Sequence, residues 1–180
     1  MQEAAEGKCH AYFVDAAHFV WGSFLSVLWC FARQFIRSAT GRSRYNVLGA
    51  LNAVTNHMVT ITNTGYINSW CVVDLLKELR RMHLDEPITI ILDNARYQRC
   101  YLVERAAYMY DIELLFLPPY SPNLNLIERV WKFIKKKALN NRSFDSFVNF
   151  QNSINQCIDG FTTCHKEELK SLLTFNFQLF

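Results

Sequence analysis

The chain has 180 residues, of which 51% are hydrophobic and 14% aromatic, with a formal net charge of +3. That length suits one domain with a substantial buried core, which excludes global disorder and two full domains. A charge this mildly basic selects no partner by itself, so the placement of the charges matters more than their sum.

Residues 1–9 are polar and are expected to form a flexible start. HAYFVDAAHFV (10–20) is apolar and aromatic around a single acid, Asp15, and reads as a buried strand. The uncharged run from Phe19 to Ala32 has 14 residues. A membrane helix needs roughly 20, so this run reads as core, and no secretory leader precedes it. Residues 26–38 mix aromatic and basic side chains and stay open between strand and irregular structure. GRSR (41–44) is a basic turn.

YNVLGALNAV (45–54) and HMVTITN (57–63) read as two strands joined by a short Thr-Asn turn. Residues 67–83 have helical periodicity through Trp70, Val73, Leu76 and Leu79, with Leu75 widening the stripe. Asp85, Glu86 and Pro87 end that helix. ITIIL (88–92) is a continuous apolar strand of the kind found at the centre of a sheet covered on both faces. It runs straight into Asp93 and Asn94.

Arg96 to Tyr110 reads as a helix, IELLFL (112–117) as another buried strand, and PPYSP (118–122) as a stiff connector. A helix is expected from Pro122 to about Leu139, with Ser121 as its N-cap and Pro122 in the first position. A last helix is expected over 143–158, capped by Ser143, and 161–180 form a tail without a clear place. The order predicts an α/β domain over 10–160 with a mixed central sheet: three antiparallel strands, then parallel strands with helical crossovers. Internal repeats, low-complexity segments and interdomain linkers are absent from the sequence.

Six cysteines stand at 9, 30, 71, 100, 157 and 164, with no C-x-x-C pair and no zinc-ligand spacing. Cys157, Cys164 and His165 come nearest to a cluster. Buried free thiols in a reducing cytosol are the reading adopted for all six.

Sixteen acids are present, and most sit on or beside amphipathic helices, as Asp74, Glu78, Asp85, Glu86, Glu104 and Asp111 do. Asp145 falls in the first turn of the expected last helix, where the macrodipole favours it. Three acids differ. Asp15 lies inside a run that otherwise belongs indoors, and a buried carboxylate must be neutralised or matched to a cation. Asp93 stands where a central strand ends, the usual place for function in an open α/β sheet. Glu128 is one residue off the apolar stripe Leu124, Ile127, Trp131, Ile134 and Ala138, so it borders the packed face.

Each acid also has a bland alternative: Asp15 paired with Arg33 or Arg37, Asp93 capping the next helix, Glu128 paired with Lys132 four residues on. Taken together, two strand acids and one helix acid would supply hard oxygen ligands suited to Mg²⁺ or Mn²⁺. Two such ions roughly 3.5–4 Å apart serve an in-line phosphoryl displacement.

The stretches FVDAAHFV, GRSRYNVLGALN, ILDNARYQ and LPPYSPNLNLIERVWKFIKKK carry a family resemblance. The sequence resembles the transposases of the mariner superfamily, in particular their bacterial insertion-sequence branch, from about His10 to Ile158. That family has a D…D…E triad with 34 residues between the second acid and the glutamate. Here residues 94–127 lie between Asp93 and Glu128, 34 in all. The resemblance implies a ribonuclease-H-like fold, two divalent ions (Mg²⁺ or Mn²⁺) on Asp15, Asp93 and Glu128, and DNA cleavage at transposon ends followed by strand transfer. It also implies that Asn94 and the PPYSPNLN segment, with Tyr120, Asn123 and Asn125, shape the site. A homodimer on double-stranded DNA is implied too, since two ends must be cut and joined together, and a bacterial cytoplasmic setting at the nucleoid.

Only 14 residues precede Asp15, whereas the family usually carries a helix-turn-helix region of a hundred or more. Recognition of transposon ends is therefore expected from a separate helix-turn-helix chain, or the chain is a truncated copy that binds DNA without transposing. A stand-alone ribonuclease-H-like nuclease is the other enzymatic reading. DNA contacts are expected from the acid-free basic run Arg129, Lys132, Lys135, Lys136, Lys137 and Arg142, and from Arg96 and Arg99 just past Asp93. Lys135–Lys137 span too much of the helix for all three to face one duplex. Tyr97 and Trp131 could stack on a base, with core packing the better reading for Trp131.

Overall fold

Five strands, β1 (His10–Val20), β2 (Arg44–Asn52), β3 (Met58–Asn63), β4 (Ile88–Leu92) and β5 (Ile112–Phe116), make one sheet in the order β3-β2-β1-β4-β5. β1, β2 and β3 pair antiparallel, while β4 joins β1 and β5 in parallel. The mixed sheet expected from the sequence is the one observed. The computed structural model describes residues 2–22, 43–119 and 121–174. Arg33, Arg37, Cys30, Tyr120, the segment 26–38 and residues 41–42 of the basic turn lie outside the described residues.

Alternation along β1 divides the core between the two faces of the sheet. Phe13, Ala17 and Phe19 pack on one side with Ile127, Trp131, Ile134 and Phe150. Tyr12 and Val14 pack on the other with Leu75, Leu76, Leu79 and Val103. Both faces are covered, which is why β4 carries no polar residue except the half-buried Thr89.

Helix α1 is a single turn, Gln2–Ala5, with Ala4 buried. The start expected to be loose therefore touches the core. In the β2–β3 turn the Asn52 side chain accepts the N–H groups of Val54 and Thr55, each at 2.9 Å, and Asn56 takes a left-handed φ of 59°.

Helix α2 (Ser69–Met82) buries Val72, Leu75, Leu76 and Leu79, with Trp70 63% exposed. The stripe expected through Trp70 and Val73 is thus out of phase. Asn68 caps the helix by accepting from Cys71 N at 3.2 Å. From that start, positions 72, 75, 76 and 79 follow the i, i+3, i+4, i+7 pattern toward the sheet.

Helix α3 spans Tyr101–Met109, five residues shorter at its start than expected. Residues 95–99 instead form a turn, with Gln98 N and Arg99 N both donating to Ala95 O. The Pro122 segment also departs from a single helix. Pro122–Leu124 form a 3₁₀ turn closed by Leu124 N to Ser121 O, and α4 proper runs Ile127–Ile134. Ser121 therefore does not cap α4. A π turn follows over Lys135–Leu139, marked by Asn140 N donating to Lys135 O at 2.9 Å. The wider turn lets Ala138 and Leu139 both reach the core.

Helix α5 (Phe147–Asp159) is capped by Ser146, which accepts from Asn149 N at 3.2 Å, not by Ser143. Asp145 consequently precedes the helix. The tail holds a 3₁₀ turn (Gly160–Thr162) and helix α6 (Lys166–Leu172), whose Leu169 is fully buried. Among the described cysteines only Cys157 is buried, and burial pushes its thiol up to about 11; Cys164 is exposed. No helix among the described residues is long and apolar enough to cross a membrane.

Arg80, at the end of α2, ties this side of the fold together. Its guanidinium donates to the carbonyls of Tyr110 (2.6 Å), Asp111 (2.6 Å), His83 (2.7 Å), Glu86 (3.0 Å) and Leu84 (3.2 Å). Removing a charged donor leaves these carbonyls partly unsatisfied. Arg80→Ala is expected to lower stability by about 2 kcal/mol, read as an earlier midpoint in urea.

Candidate active site

The β1–β4 register pairs Val14 with Leu92. The next residue in each segment is an acid, so Asp15, midway along β1, and Asp93, just past the end of β4, become neighbours. β4 stops at Leu92 because Asp93 turns away from the sheet: its Oδ1 accepts from Ala95 N at 3.1 Å. This is a local turn. Helix α3 begins eight residues later, so Asp93 does not cap it.

The connector after β5 folds back over this end. Leu117 N donates to Leu92 O at 2.8 Å, and Asn94 Nδ2 donates to Leu117 O at 2.6 Å. Asn94 Oδ1 accepts from Arg99 Nη1 at 3.1 Å, and the Arg99 guanidinium lies 5.3 Å over the Phe116 ring. Arg99, expected on DNA, is thus occupied in holding Asn94. From the other side, Asn125 is buried and its Nδ2 donates to Val14 O at 3.3 Å, which pins the start of α4 against β1.

A cavity of about 260 Å³ results. Asp93, Asn94, Leu117, Pro118, Asn125 and Glu128 are among its walls. Glu128 lies in the first turn of α4, beside the cavity. Ion pairs among the described residues join other partners, and none links Glu128 to Lys132. Asp15 does not itself line the cavity. It sits one residue beyond Val14, and its carboxyl feels the charges of both other acids.

The electrostatics mark the convergence. Burial pushes the Asp15 carboxyl up to about 6, and the negative charges of Glu128 and Asp93 push the same way. A hydrogen bond from the Ala16 backbone and one from the Trp131 indole oppose the rise. Trp131 Nε1 donates to Asp15 Oδ2 at 3.0 Å across 116 residues of sequence. Burial, then the charges of Asp15 and Asp93, raises the Tyr97 hydroxyl, which therefore stays protonated.

Three supporting residues were not visible in the sequence. Gln98 is fully buried. Its amide nitrogen faces Asp93, because the opposite orientation would set its oxygen against acceptors. So placed, it donates to the Asp93 carboxylate and to Asp93 O at 3.0 Å. Trp131 was expected to pack, and it does, but its N–H also orients Asp15. Gly49 pairs with Asp15 across β1–β2. A Cβ there would stand 2.8 Å from Trp131 Cη2, so only glycine lets the indole approach. No local pattern flags any of the three: the partners of Trp131 and Gly49 are remote in sequence, and Gln98 reaches Asp93 only through the turn at 95–99.

The remaining expected site residues scatter. Asn123 is exposed in the 3₁₀ turn and does not line the cavity. Arg96 is exposed in the turn next to the cavity wall at Ala95. Arg129 donates to the carbonyls of Leu172 (3.1 Å) and Thr174 (2.7 Å), so it fastens the tail to α4. Lys132 and Lys136 are exposed and line one groove with Arg129, while Lys135 does not. The helix thus splits the lysines, as their spacing requires.

The donor set suits a hard divalent cation. It is all oxygen, it carries an excess of negative charge that lifts Asp15, and the buried Asn125 Oδ1 has no hydrogen-bond partner among the described residues. Taking one oxygen from each, the three acids do not come within 4.8 Å of one another; among the described residues the trio whose ligand atoms do is His10, His83 and Glu86. A pair of ions about 3.5–4 Å apart calls for the wider spread.

The sequence profile of the DDE superfamily endonucleases matches residues 30–151. The chain belongs to this family. The match takes in Asp93 and Glu128 and begins after Asp15. An uncharacterized protein of Sinorhizobium fredii, y4pE/y4sA, is 38% identical over 58 residues, 32% of this chain and 41% of that protein. The Mos1 strand transfer complex aligns with a TM-score of 0.67 at 15% identity, over 96% of this chain and 56% of the Mos1 chain. The HTLV-2 integrase catalytic core domain, solved with magnesium, aligns with a TM-score of 0.57 at 14% identity, over 86% of this chain and 87% of that one. At such identities the likeness is one of fold, and the fold of this DDE-family domain is the ribonuclease-H-like one expected. The chain spans 56% of the Mos1 chain and 41% of the Sinorhizobium protein.

Proposed function

We propose that this chain is the catalytic domain of a DNA transposase of the mariner superfamily, in its bacterial insertion-sequence branch. It cuts DNA at the ends of an insertion element and joins those ends to target DNA. Asp15, Asp93 and Glu128 are its catalytic acids and hold two divalent ions, Mg²⁺ or Mn²⁺. The observation that supports this reading is the register: β1 and β4 set Asp15 beside Asp93, and Asp93 shares a cavity with Glu128 at the start of α4.

When bound, the ions polarise the scissile phosphate and lower the pKa of the attacking hydroxyl. The chain's own groups prepare that chemistry. Trp131 and Gln98 fix the carboxylates of Asp15 and Asp93 by hydrogen bonds, so neither has to reorganise during reaction. Asn94 and the two prolines at 118 and 119 line the same cavity as Glu128, and the prolines stiffen that stretch of backbone. Exposed Arg96, Lys132 and Lys136 meet the phosphates of double-stranded DNA, with a binding strength that falls as salt rises.

Joining two ends requires two active sites on one DNA assembly, so a homodimer is proposed; Mos1 is itself described in a paired-end complex. End recognition is assigned to a helix-turn-helix region or chain, and the site of action to the bacterial cytoplasm at the nucleoid.

Nicking of supercoiled plasmid tests the reading. The chain is expected to nick it with Mg²⁺ or Mn²⁺ and not in EDTA. Glu128→Gln keeps the side-chain shape and should reduce the rate by about a thousandfold or more, several kcal/mol of transition-state stabilisation. Undiminished nicking by a folded Glu128→Gln chain would refute the assignment.

A further inference from the structure

We propose that His10, His83 and Glu86 form a second metal site, for a Zn²⁺-class transition metal, at the end of the sheet opposite the acid cavity.

The three side chains come from three elements. His10 opens β1, His83 ends α2, and Glu86 lies in the loop leading into β4. One ligand atom from each lies within 4.8 Å of the other two. Both imidazoles address the same carboxylate oxygen: His10 Nε2 contacts Glu86 Oε2, and His83 Nδ1 lies 3.0 Å from it. The two rings stack with centroids 3.7 Å apart and 24° between their planes. Two nitrogens and one oxygen thus point into one small volume.

The surroundings supply what a metal-bound histidine requires. A ligating imidazole donates its other N–H to a fixed acceptor, which sets the tautomer and the ring angle. His83 Nε2 lies 2.8 Å from the hydroxyl of Tyr12, a residue only 1% exposed. In the absence of an ion His83 Nδ1–H donates to Glu86; with one bound, Nε2 would carry the proton toward Tyr12 and leave the Nδ1 lone pair for the metal. The loop is rigid as well, because Arg80 holds the carbonyls of His83, Leu84 and Glu86. His10 is anchored by its own N–H to Pro87 O at 2.8 Å. The Arg80 guanidinium turns its donors to backbone oxygens.

Imidazole with one carboxylate selects Zn²⁺, Co²⁺ or Ni²⁺ over Mg²⁺ and Ca²⁺, which prefer all-oxygen sets. Three protein ligands leave a fourth position for water. Such an ion would clip the start of β1, the end of α2 and the entry to β4 together, a structural role. Asp15 stands five steps along the strand from His10, roughly 16 Å at the rise of a β-strand, so the two sites do not share ligands.

The test uses the full chain carrying Asp93→Asn and Glu128→Gln, which removes the acid cavity as a competing site. Calorimetric titration with Zn²⁺ should show one equivalent bound, and Co²⁺ should give visible d–d absorption of a low-coordinate site. Zn²⁺, and not Mg²⁺, should raise the melting temperature. Adding Glu86→Gln, an exposed change that the fold tolerates, should weaken Zn²⁺ binding at least tenfold. His83→Gln should weaken it further. Absence of saturable Zn²⁺ binding, or binding that Glu86→Gln and His83→Gln leave unchanged, would overturn the proposal.

Discussion

An Asp15→Asn chain is expected to be more stable than the wild type at pH 8 in EDTA, and to nick no DNA. The folded carboxyl titrates at about 6 against an ordinary value of 3.8, because burial and the neighbouring acids disfavour its charge. The folded state therefore holds this proton more tightly than the unfolded chain does. Its favourable contribution is complete below about pH 4 and is lost as pH rises through about 6. A shift near two units corresponds to roughly 3 kcal/mol at most. Asparagine removes the charge, and its carbonyl still accepts the Trp131 N–H. The expected gain is about 1–3 kcal/mol above pH 6, shrinking toward zero near pH 4. Urea midpoints across pH 4–8 measure it. The same change removes a metal ligand, so nicking should fall by about a thousandfold or more. Equal stability of both chains at pH 8 would show that Asp15 is not held under charge strain.

Gly49→Ala should act in the opposite direction, on stability and activity together. The new methyl would stand 2.3 Å from Met58 Cε, 2.8 Å from Trp131 Cη2 and 3.1 Å from Ile127 Cδ1. Met58 ends in a flexible thioether and can swing aside. The indole cannot, because it packs edge-on to Phe19 at 6.2 Å and donates to Asp15. Overpacking of this kind costs about 1–3 kcal/mol, and Gly49→Val should cost more. Displacing the ring also withdraws the N–H from Asp15. The Trp131 indole resonance should shift, and nicking should drop beyond what the stability loss explains. An alanine chain with wild-type midpoint and unmoved Trp131 resonance would contradict this packing.

Much of the architecture was legible because it is written in local periodicity. HAYFVDAAHFV and ITIIL announce strands by composition, and Asp85, Glu86 and Pro87 mark the end of α2. Asp93 was legible as a strand-end acid, and its neighbour Asp15 as an acid out of place in an apolar run. What stayed hidden depends on contacts between distant segments. The Trp131–Asp15 bond and the close approach at Gly49 join α4 to the sheet across more than seventy residues. Glu86 looked like an ordinary residue after a helix, and only folding brings His10 beside it. Arg99 and Arg129 looked available for DNA, yet their guanidiniums meet Asn94 and tail carbonyls that charge patterning cannot reveal. Boundaries failed where two caps competed: Ser146 outranks Ser143 because its side chain reaches Asn149 N, a matter of phase rather than residue type. Trp70 turned outward for the same reason, since the Asn68 cap fixes which positions of α2 face inward.

The most direct measurement is the anomalous scattering of Mn²⁺ in crystals of the chain grown or soaked with the ion. Density is expected among the carboxyl oxygens of Asp15, Asp93 and Glu128, at the β1–β4 end of the 260 Å³ cavity. It should vanish in Asp93→Asn. Manganese found only elsewhere, or unchanged in that variant, would mean that the three acids meet without gripping a metal.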